Sequence, residues 1–120
     1  MGKGVVGLKD KHVQRIMRSI RMGFYTLVIL RLLDRYGPLY GYKILALMKK
    51  LSNQVLNPSE STIYETLKSL EKDKLVRSYW AESELGPPRK YYEITGKGRE
   101  TLKILLEEVR KIIDVVDRIL

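Results

Sequence analysis

The chain has 120 residues, which fits a single domain with one hydrophobic core. Lysine and arginine total 23 against 14 acidic residues, and the net charge of +9 favours a polyanionic partner, because each neutralised phosphate releases a counterion. The alternative is that the charge only keeps the protein in solution. The absence of cysteine excludes disulfides and thiolate chemistry. No apolar run approaches the ~20 residues that span a bilayer and no signal-peptide pattern is present, so we expect a cytoplasmic protein.

The first half of the chain is predicted to be helical. Residues 9–19 form a basic amphipathic helix, and residues 24–36 form a strongly apolar helix that a Gly-Pro pair ends. Gly23 weakens the continuity between the two, so one long helix and two shorter ones both fit the pattern. Residues 40–51 carry apolar side chains at spacings of three and four, which is one face of a further helix.

The next segment predicts a helix followed by a β-hairpin. The helix begins near Asn57 or Ser59, either of which can cap it, and runs to about Lys72. Its predicted apolar stripe consists of Ile63, Leu67 and Leu70. Residues 74–82 and 89–95 are rich in strand-forming residues and flank a cluster of turn residues. They predict a hairpin with a basic and aromatic tip.

Residues 97–120 are predicted to form one long helix. Six of its apolar residues alternate by three and four positions, the a/d pattern of three heptads: Leu102, Leu105, Val109, Ile112, Val116 and Ile119. This register favours self-association through the helix. Packing against the N-terminal helix of the same chain is the alternative, and both can hold at once.

The order of three helices, a hairpin and a long helix predicts a fold that is mainly α with a small β-hairpin. We expect a winged helix-turn-helix with an N-terminal helix and a long C-terminal dimerisation helix. The chain then divides into an N-terminal tail and amphipathic helix at 1–21, a winged-helix DNA-binding domain at 22–96, and the dimerisation helix at 97–120.

In such a fold the third helix lies in the major groove of double-stranded DNA. Its candidate DNA contacts are side chains that can donate hydrogen bonds to phosphates or base edges: Ser59, Ser61, Thr62, Tyr64 and Lys68. From the hairpin, Arg89 and Lys90 would lie along the flanking groove or phosphates.

Each candidate also has a plainer interpretation. Ser59 is then only a helix cap, Tyr64 buries its ring in the core, and Lys68 belongs to a solvated face. Arg89 could pair with a nearby carboxylate and never contact DNA. Glu65 repels phosphate, so it either accepts a hydrogen bond from a cytosine amino group or points away.

Nothing in the sequence favours an enzyme. His12 is the single histidine, and no nucleophile, metal cluster or phosphate-cradling glycine loop accompanies it. We therefore expect no catalytic residue, no metal site and no cofactor. A non-specific architectural protein that binds DNA or RNA is the alternative function, since the basic charge serves it equally well.

Six short motifs follow one another at characteristic spacings between residues 27 and 102. They are Ile29-Leu30-Arg31-Leu32-Leu33, Gly37-Pro38-Leu39-Tyr40-Gly41-Tyr42, Ser61-Thr62-Ile63-Tyr64, Leu67-Lys68-Ser69-Leu70-Glu71, Gly86-Pro87-Pro88-Arg89-Lys90-Tyr91-Tyr92, and Ile94-Thr95-Gly96-Lys97-Gly98. Each is weak alone, but the ordered set resembles the PadR family of winged-helix transcriptional regulators.

The resemblance implies a homodimer whose DNA-binding lobes are joined by N- and C-terminal helices. It also implies repression by covering a palindromic operator, and a response to small, often aromatic or hydrophobic, effectors. It adds Tyr40 and Tyr42 as contacts to the DNA backbone, with simple packing as the alternative. The chain departs from the family at two positions, since the family usually has glycine where Ser61 stands and proline where Glu65 stands. Ser61 adds a hydrogen-bond donor and is expected to alter the reach to phosphate, whereas Glu65 is expected to straighten the helix and change base preference.

Overall fold

A computed structural model describes residues 6–120, and its first element is one uninterrupted helix. Helix α1 spans Lys11–Tyr36. The carboxylate of Asp10 caps it by accepting the backbone N–H groups of His12 at 2.8 Å and Val13 at 3.3 Å. Of the two alternatives left open at Gly23, the single helix is correct. A Cβ at Gly23 would have nothing within 4 Å, so the glycine lies on an open side and does not mark a break.

Two shorter helices pack against the C-terminal half of α1. Helix α2 spans Gly41–Leu51 and helix α3 spans Glu60–Lys72. The predicted apolar stripe of α3 is buried, as expected. Leu51, the last residue of α2, is 56% exposed because it lies at the edge of the core. The side chains with almost no exposed surface come from all three helices and the sheet: Ile29, Leu30, Leu33, Ile44, Met48, Ile63, Leu67 and Val76.

The hairpin is part of a three-stranded antiparallel sheet. Strand β1 spans Leu39–Tyr40, β2 spans Val76–Ser83 and β3 spans Gly86–Ile94, in the spatial order β1-β3-β2. The sequence did not predict β1, because two residues carry no periodicity and their pairing with β3 is a long-range contact.

The hairpin turn is also shorter than predicted. Only two residues separate β2 from β3, whereas the prolines were expected to belong to a longer turn. Pro87 and Pro88 instead lie in β3, opposite a register irregularity between Ala81 and Ser83. Proline cannot donate to the strand ladder, and a bulge is a place in a sheet where no donor is needed.

Helix α4 spans Gly96–Ile119 and leaves the domain. Its first turn lies against the strand region, where a Cβ on Gly98 would clash with the carbonyl oxygen of Leu75. Leu102 is buried in the core, and Leu105 and Leu106 pack at its edge. From residue 111 onward every residue of the helix is exposed. The predicted architecture, a mainly α winged helix with a long C-terminal helix, is confirmed.

Candidate nucleic-acid interface

The surface of α3 opposite the core is polar and open to solvent. Ser61, Tyr64, Glu65, Lys68 and Lys72 recur at helical spacing, and all five are exposed. We call these five residues the recognition face. They have no part in the core, so three of the predicted DNA contacts, Ser61, Tyr64 and Lys68, share one accessible surface. Their contacts with DNA remain predictions.

The first turn of α3 uses the other two predicted contacts for its own cap. Ser59, not Asn57, is the N-cap: its Oγ accepts the backbone N–H of Thr62 at 3.1 Å and lies 3.0 Å from the Thr62 hydroxyl. Both hydroxyls are therefore already engaged within the protein. Ser59 remains exposed at the end of the helix, so the cap and a contact with DNA are compatible.

The Tyr64 ring lies against the start of α2. A Cβ on Gly41 would sit 2.6 Å from the Cε1 and Cζ atoms of the Tyr64 ring, so a larger residue at position 41 would displace the ring. The ring is 47% exposed, so it is neither buried in the core nor free in solvent. The contact places Tyr64 between α2 and α3, at the edge of the recognition face. The sequence motif that contains Gly41 did not predict its contact with the Tyr64 ring.

The two basic residues of the wing lie on opposite faces of β3. The Arg89 guanidinium lies 4.4 Å from the centre of the Tyr40 ring, on the face that also carries Tyr91. The Lys90 ammonium lies 5.7 Å from the Tyr92 ring, on the other face. Within residues 6–120 no carboxylate pairs with Arg89, so its positive charge is available to a phosphate.

The wing is tied to the recognition helix on one of these faces. The Ser78 hydroxyl of β2 donates a hydrogen bond to the Glu71 carboxylate of α3. Tyr92 is buried beside this pair, and burial raises the pKa of its hydroxyl, with the nearby Glu71 charge and Tyr64 adding to the shift. The face of the sheet that carries Ser78 and Tyr92 is therefore the one turned toward α3.

Tyr40 and Tyr42 occupy different environments. Tyr40 is half-buried, packs edge-on against Tyr91 with 5.6 Å between ring centres, and lies under Arg89. Packing, the plainer alternative, therefore describes its ring. Tyr42 is 62% exposed at the first turn of α2 and makes no such contact. A role in binding the DNA backbone remains a prediction for both, and Tyr42 has the more accessible side chain.

A second surface, apolar instead of basic, lies between α1 and α4. It is a groove of about 450 Å³, which we call the arm groove. Its lining is almost entirely apolar: Ile20, Gly23, Phe24, Thr26, Leu27, Leu105, Val109, Ile112 and Ile113.

The six heptad residues of α4 fall into three groups. Leu102 is 2% exposed and belongs to the core of its own chain. Leu105 and Val109 are half-buried in the arm groove against α1. Ile112, Val116 and Ile119 are 62%, 45% and 76% exposed. The first part of α4 packs within its own chain, and its last part leaves apolar side chains exposed. Packing against α1 and self-association, the two alternatives from the sequence, are therefore compatible with one helix.

The part of the chain that the structure describes contains no group of three or more potential metal ligands. No helix in that same part is long and apolar enough to cross a membrane.

Helices α1 to α3, the three-stranded wing and the long terminal helix define a winged-helix regulator, and comparison with known proteins identifies the family. The model of the transcriptional regulator PadR-like family matches residues 29–104. The chain belongs to this family, as the sequence motifs predicted. The family is one of transcription factors and not of enzymes.

Several solved structures have the same fold. A transcriptional regulator from Clostridium thermocellum superposes with a TM-score of 0.76 at 29% identity, covering 83% of this chain and 93% of that one. A PadR family regulator from Eggerthella lenta gives 0.75 at 28% identity, covering 92% and 93%. PadR from Bacillus subtilis, solved in complex with operator DNA, gives 0.61 at 30% identity, covering 68% of this chain and 45% of its own.

Proposed function

We propose that the protein is a sequence-specific regulator of transcription that binds operator DNA. The observation that carries this proposal is the recognition face of α3, which is polar, exposed and held beside the wing by the bond from Ser78 to Glu71. Further support comes from the net charge of +9 and from the similar Bacillus subtilis protein, whose structure includes operator DNA. Transcription takes place where the DNA is, so a cytoplasmic location follows from the same proposal.

In this proposal the recognition face enters the major groove and the wing contacts the flanking backbone. Ser61, Tyr64 and Lys68 reach base edges or phosphates, and the first turn of α3, with Ser59 and Thr62, meets a phosphate. Arg89 and Lys90 neutralise phosphates on either side of the wing, and Tyr40 and Tyr42 lie against the backbone. Cofactors and catalytic groups have no part in this function.

The proposed active form is a homodimer built on the arm groove. Ile112, Val116 and Ile119 leave a row of exposed apolar surface along α4, and Ile16 and Ile20 of α1 are 50% and 47% exposed. A contiguous apolar surface of this kind is costly in water and is typical of an interface between chains. The division into a DNA-binding part at 22–96 and a dimerisation helix at 97–120 belongs to this proposal.

Two-fold symmetry has a consequence for the operator. A dimer places its two recognition helices about one DNA turn, ~34 Å, apart, so the site would be a palindrome. A protein that covers such a site excludes other proteins from it, which makes repression the expected mode of action. The arm groove has the size of a small-molecule site, so we also propose that an apolar or aromatic effector can bind between the long helices and change their spacing.

A fluorescence anisotropy titration tests the proposed function. The full chain is titrated into a labelled duplex from the protein's own upstream region and into a random duplex of equal length, at two salt concentrations. We expect tighter binding to the upstream duplex by about a thousandfold, the lower end for specific regulators, with a steep loss of affinity as salt rises. Equal affinity for the two duplexes and for random genomic fragments would instead favour the non-specific architectural protein.

A further inference from the structure

The single tryptophan of the chain is unusually exposed. Trp80 lies in the middle of β2, and 68% of its side chain is accessible to solvent. Its neighbour Tyr79, by contrast, stacks on Tyr91 with 5.9 Å between ring centres. No packing partner within residues 6–120 covers the indole, although an indole is costly to leave in water.

The strand register shows which way Trp80 points. Residues 76, 78 and 80 of β2 alternate to one face, and they pair with Ile94, Tyr92 and Lys90 of β3. On this face Val76 and Ile94 are in the core, and the next pair, Ser78 and Tyr92, faces Glu71 of α3. Trp80 and Lys90 are the next pair outward. They form the wall of the wing that looks toward the recognition helix.

Charge favours the middle of the wing over its tip as the place of contact. The turn residue Glu84 is acidic and exposed, and Glu82 at the end of β2 is acidic and exposed as well. Carboxylates repel a phosphate backbone, so the tip is a poor place for DNA to approach. Trp80 and Lys90 lie directly opposite each other across the two strands. They are the apolar and basic pair nearest the recognition face on that wall.

We propose that Trp80 is a DNA-contacting residue whose indole packs against the sugar–phosphate backbone of the duplex beside the bases that α3 reads. The proposal rests on the proposed function and extends it to a residue that lies outside the six sequence motifs and outside the predicted DNA contacts. The contact is apolar, so it strengthens binding to every sequence alike and releases no counterion of its own.

Because Trp80 is the only tryptophan, its fluorescence reports this contact directly. The full chain is mixed with the upstream duplex at low salt, and saturation is established by anisotropy of the labelled DNA. Tryptophan emission is then quenched with acrylamide, which is neutral and leaves the ionic strength unchanged. We expect bound DNA to lower the quenching constant severalfold, because a covered indole no longer meets the quencher.

Three other outcomes would overturn the contact. With saturated DNA and an unchanged quenching constant, Trp80 stays in solvent and the proposed function stands without it. If protection rises with protein concentration in the absence of DNA, Trp80 instead meets another copy of the chain. If no duplex binds at all, the proposed function fails together with the contact.

Substitutions give a second, independent readout. Trp80→Leu is expected to weaken binding to upstream and random duplexes alike by about tenfold, the scale of one aromatic contact with a nucleotide, and to leave the salt slope unchanged. Tyr79→Leu is the matched control, since Tyr79 is an aromatic residue of the same strand on the opposite face; it should bind like the unmodified chain. Trp80→Phe should recover most of the affinity. Equal losses in the Trp80 and Tyr79 variants would mean that only wing stability had changed, and would overturn the proposal.

Discussion

Two regions of the molecule bury their apolar residues to different extents. One is the lobe, which carries the recognition face; the other is the arm, formed by the N-terminal part of α1 and the C-terminal part of α4. In the lobe, the apolar side chains of three helices and the sheet meet one another in one core, and the exposed face of α3 is polar. In the arm, apolar residues of α4 stay largely exposed to solvent among residues 6–120, such as Ile112 at 62% and Ile119 at 76%. The core of the lobe therefore forms within one chain, whereas the arm leaves exposed the kind of apolar surface that is typical of an interface between chains.

This difference assigns the two surfaces to different partners. A basic, hydrogen-bonding surface binds DNA with a strength that falls with salt, while an apolar groove binds a second chain through the hydrophobic effect. Substitutions in the DNA-binding surface should therefore leave the association of the chain unchanged. Substitutions in the arm should leave the fold of the lobe intact and lower operator affinity only through loss of the dimer. Four substitutions test this assignment of the two surfaces, beginning with the largest expected effect.

Ile112→Asp should disrupt association through the arm without unfolding the lobe. Ile112 is 62% exposed in the single chain, so the charge costs the fold little. In a dimer it would be buried without a partner, and we expect the dimer dissociation constant to rise at least about a hundredfold. Sedimentation velocity measures the association, and circular dichroism checks the fold. Arg110→Asp, on an exposed polar position of the same helix, is the control; a dimer that survives Ile112→Asp would show that α4 does not form the interface.

Gly98→Ala tests the joint between the lobe and the arm. The added Cβ would meet the backbone carbonyl of Leu75, which cannot move without disturbing the start of β2. We expect a loss of about 2–3 kcal/mol in the free energy of unfolding, measured by urea denaturation. Gly96→Ala is a close control, because a Cβ there has nothing within 4 Å. If the two variants were equally stable, the close approach of α4 to Leu75 would be wrong.

Arg89→Ala should weaken DNA binding without altering stability or association. If Arg89 contacts a phosphate, affinity falls similarly for all sequences, and the slope of log affinity against log salt becomes shallower by about one. Arg77→Ala offers a comparison, because Arg77 is already paired with Glu93 at 2.6 Å. Anisotropy titrations at several salt concentrations measure both variants. An unchanged slope in Arg89→Ala would exclude the phosphate contact.

Ser59→Ala should give the smallest effect, which is local to the recognition helix. Loss of the bond to the Thr62 backbone N–H leaves that donor without its cap and is expected to cost about 1 kcal/mol of stability. Thermal unfolding of Ser59→Ala and Ser61→Ala makes the comparison, since Ser61 lies two residues further along, is exposed and does not cap the helix. A larger loss of DNA affinity than of stability in Ser59→Ala would give Ser59 a contact with DNA besides its cap.

The long, periodic elements were predictable because their signals are local. The apolar spacing of residues 40–51, the stripe of α3 and the heptads of α4 each report one face of a helix, and all three helices form where expected. Strand β1 and the place of the two prolines were missed, since each depends on a partner strand.

By itself, therefore, the sequence determined the helices, the wing, the family and the chemistry of the candidate contacts, because periodicity and motif order are properties of neighbouring residues. Only the tertiary structure decided how those contacts are arranged. It placed Tyr64 on Gly41, Arg89 over Tyr40 and Trp80 on the wall that faces α3. These relations join residues far apart in the chain, and they arise from packing and strand register, which no local pattern encodes.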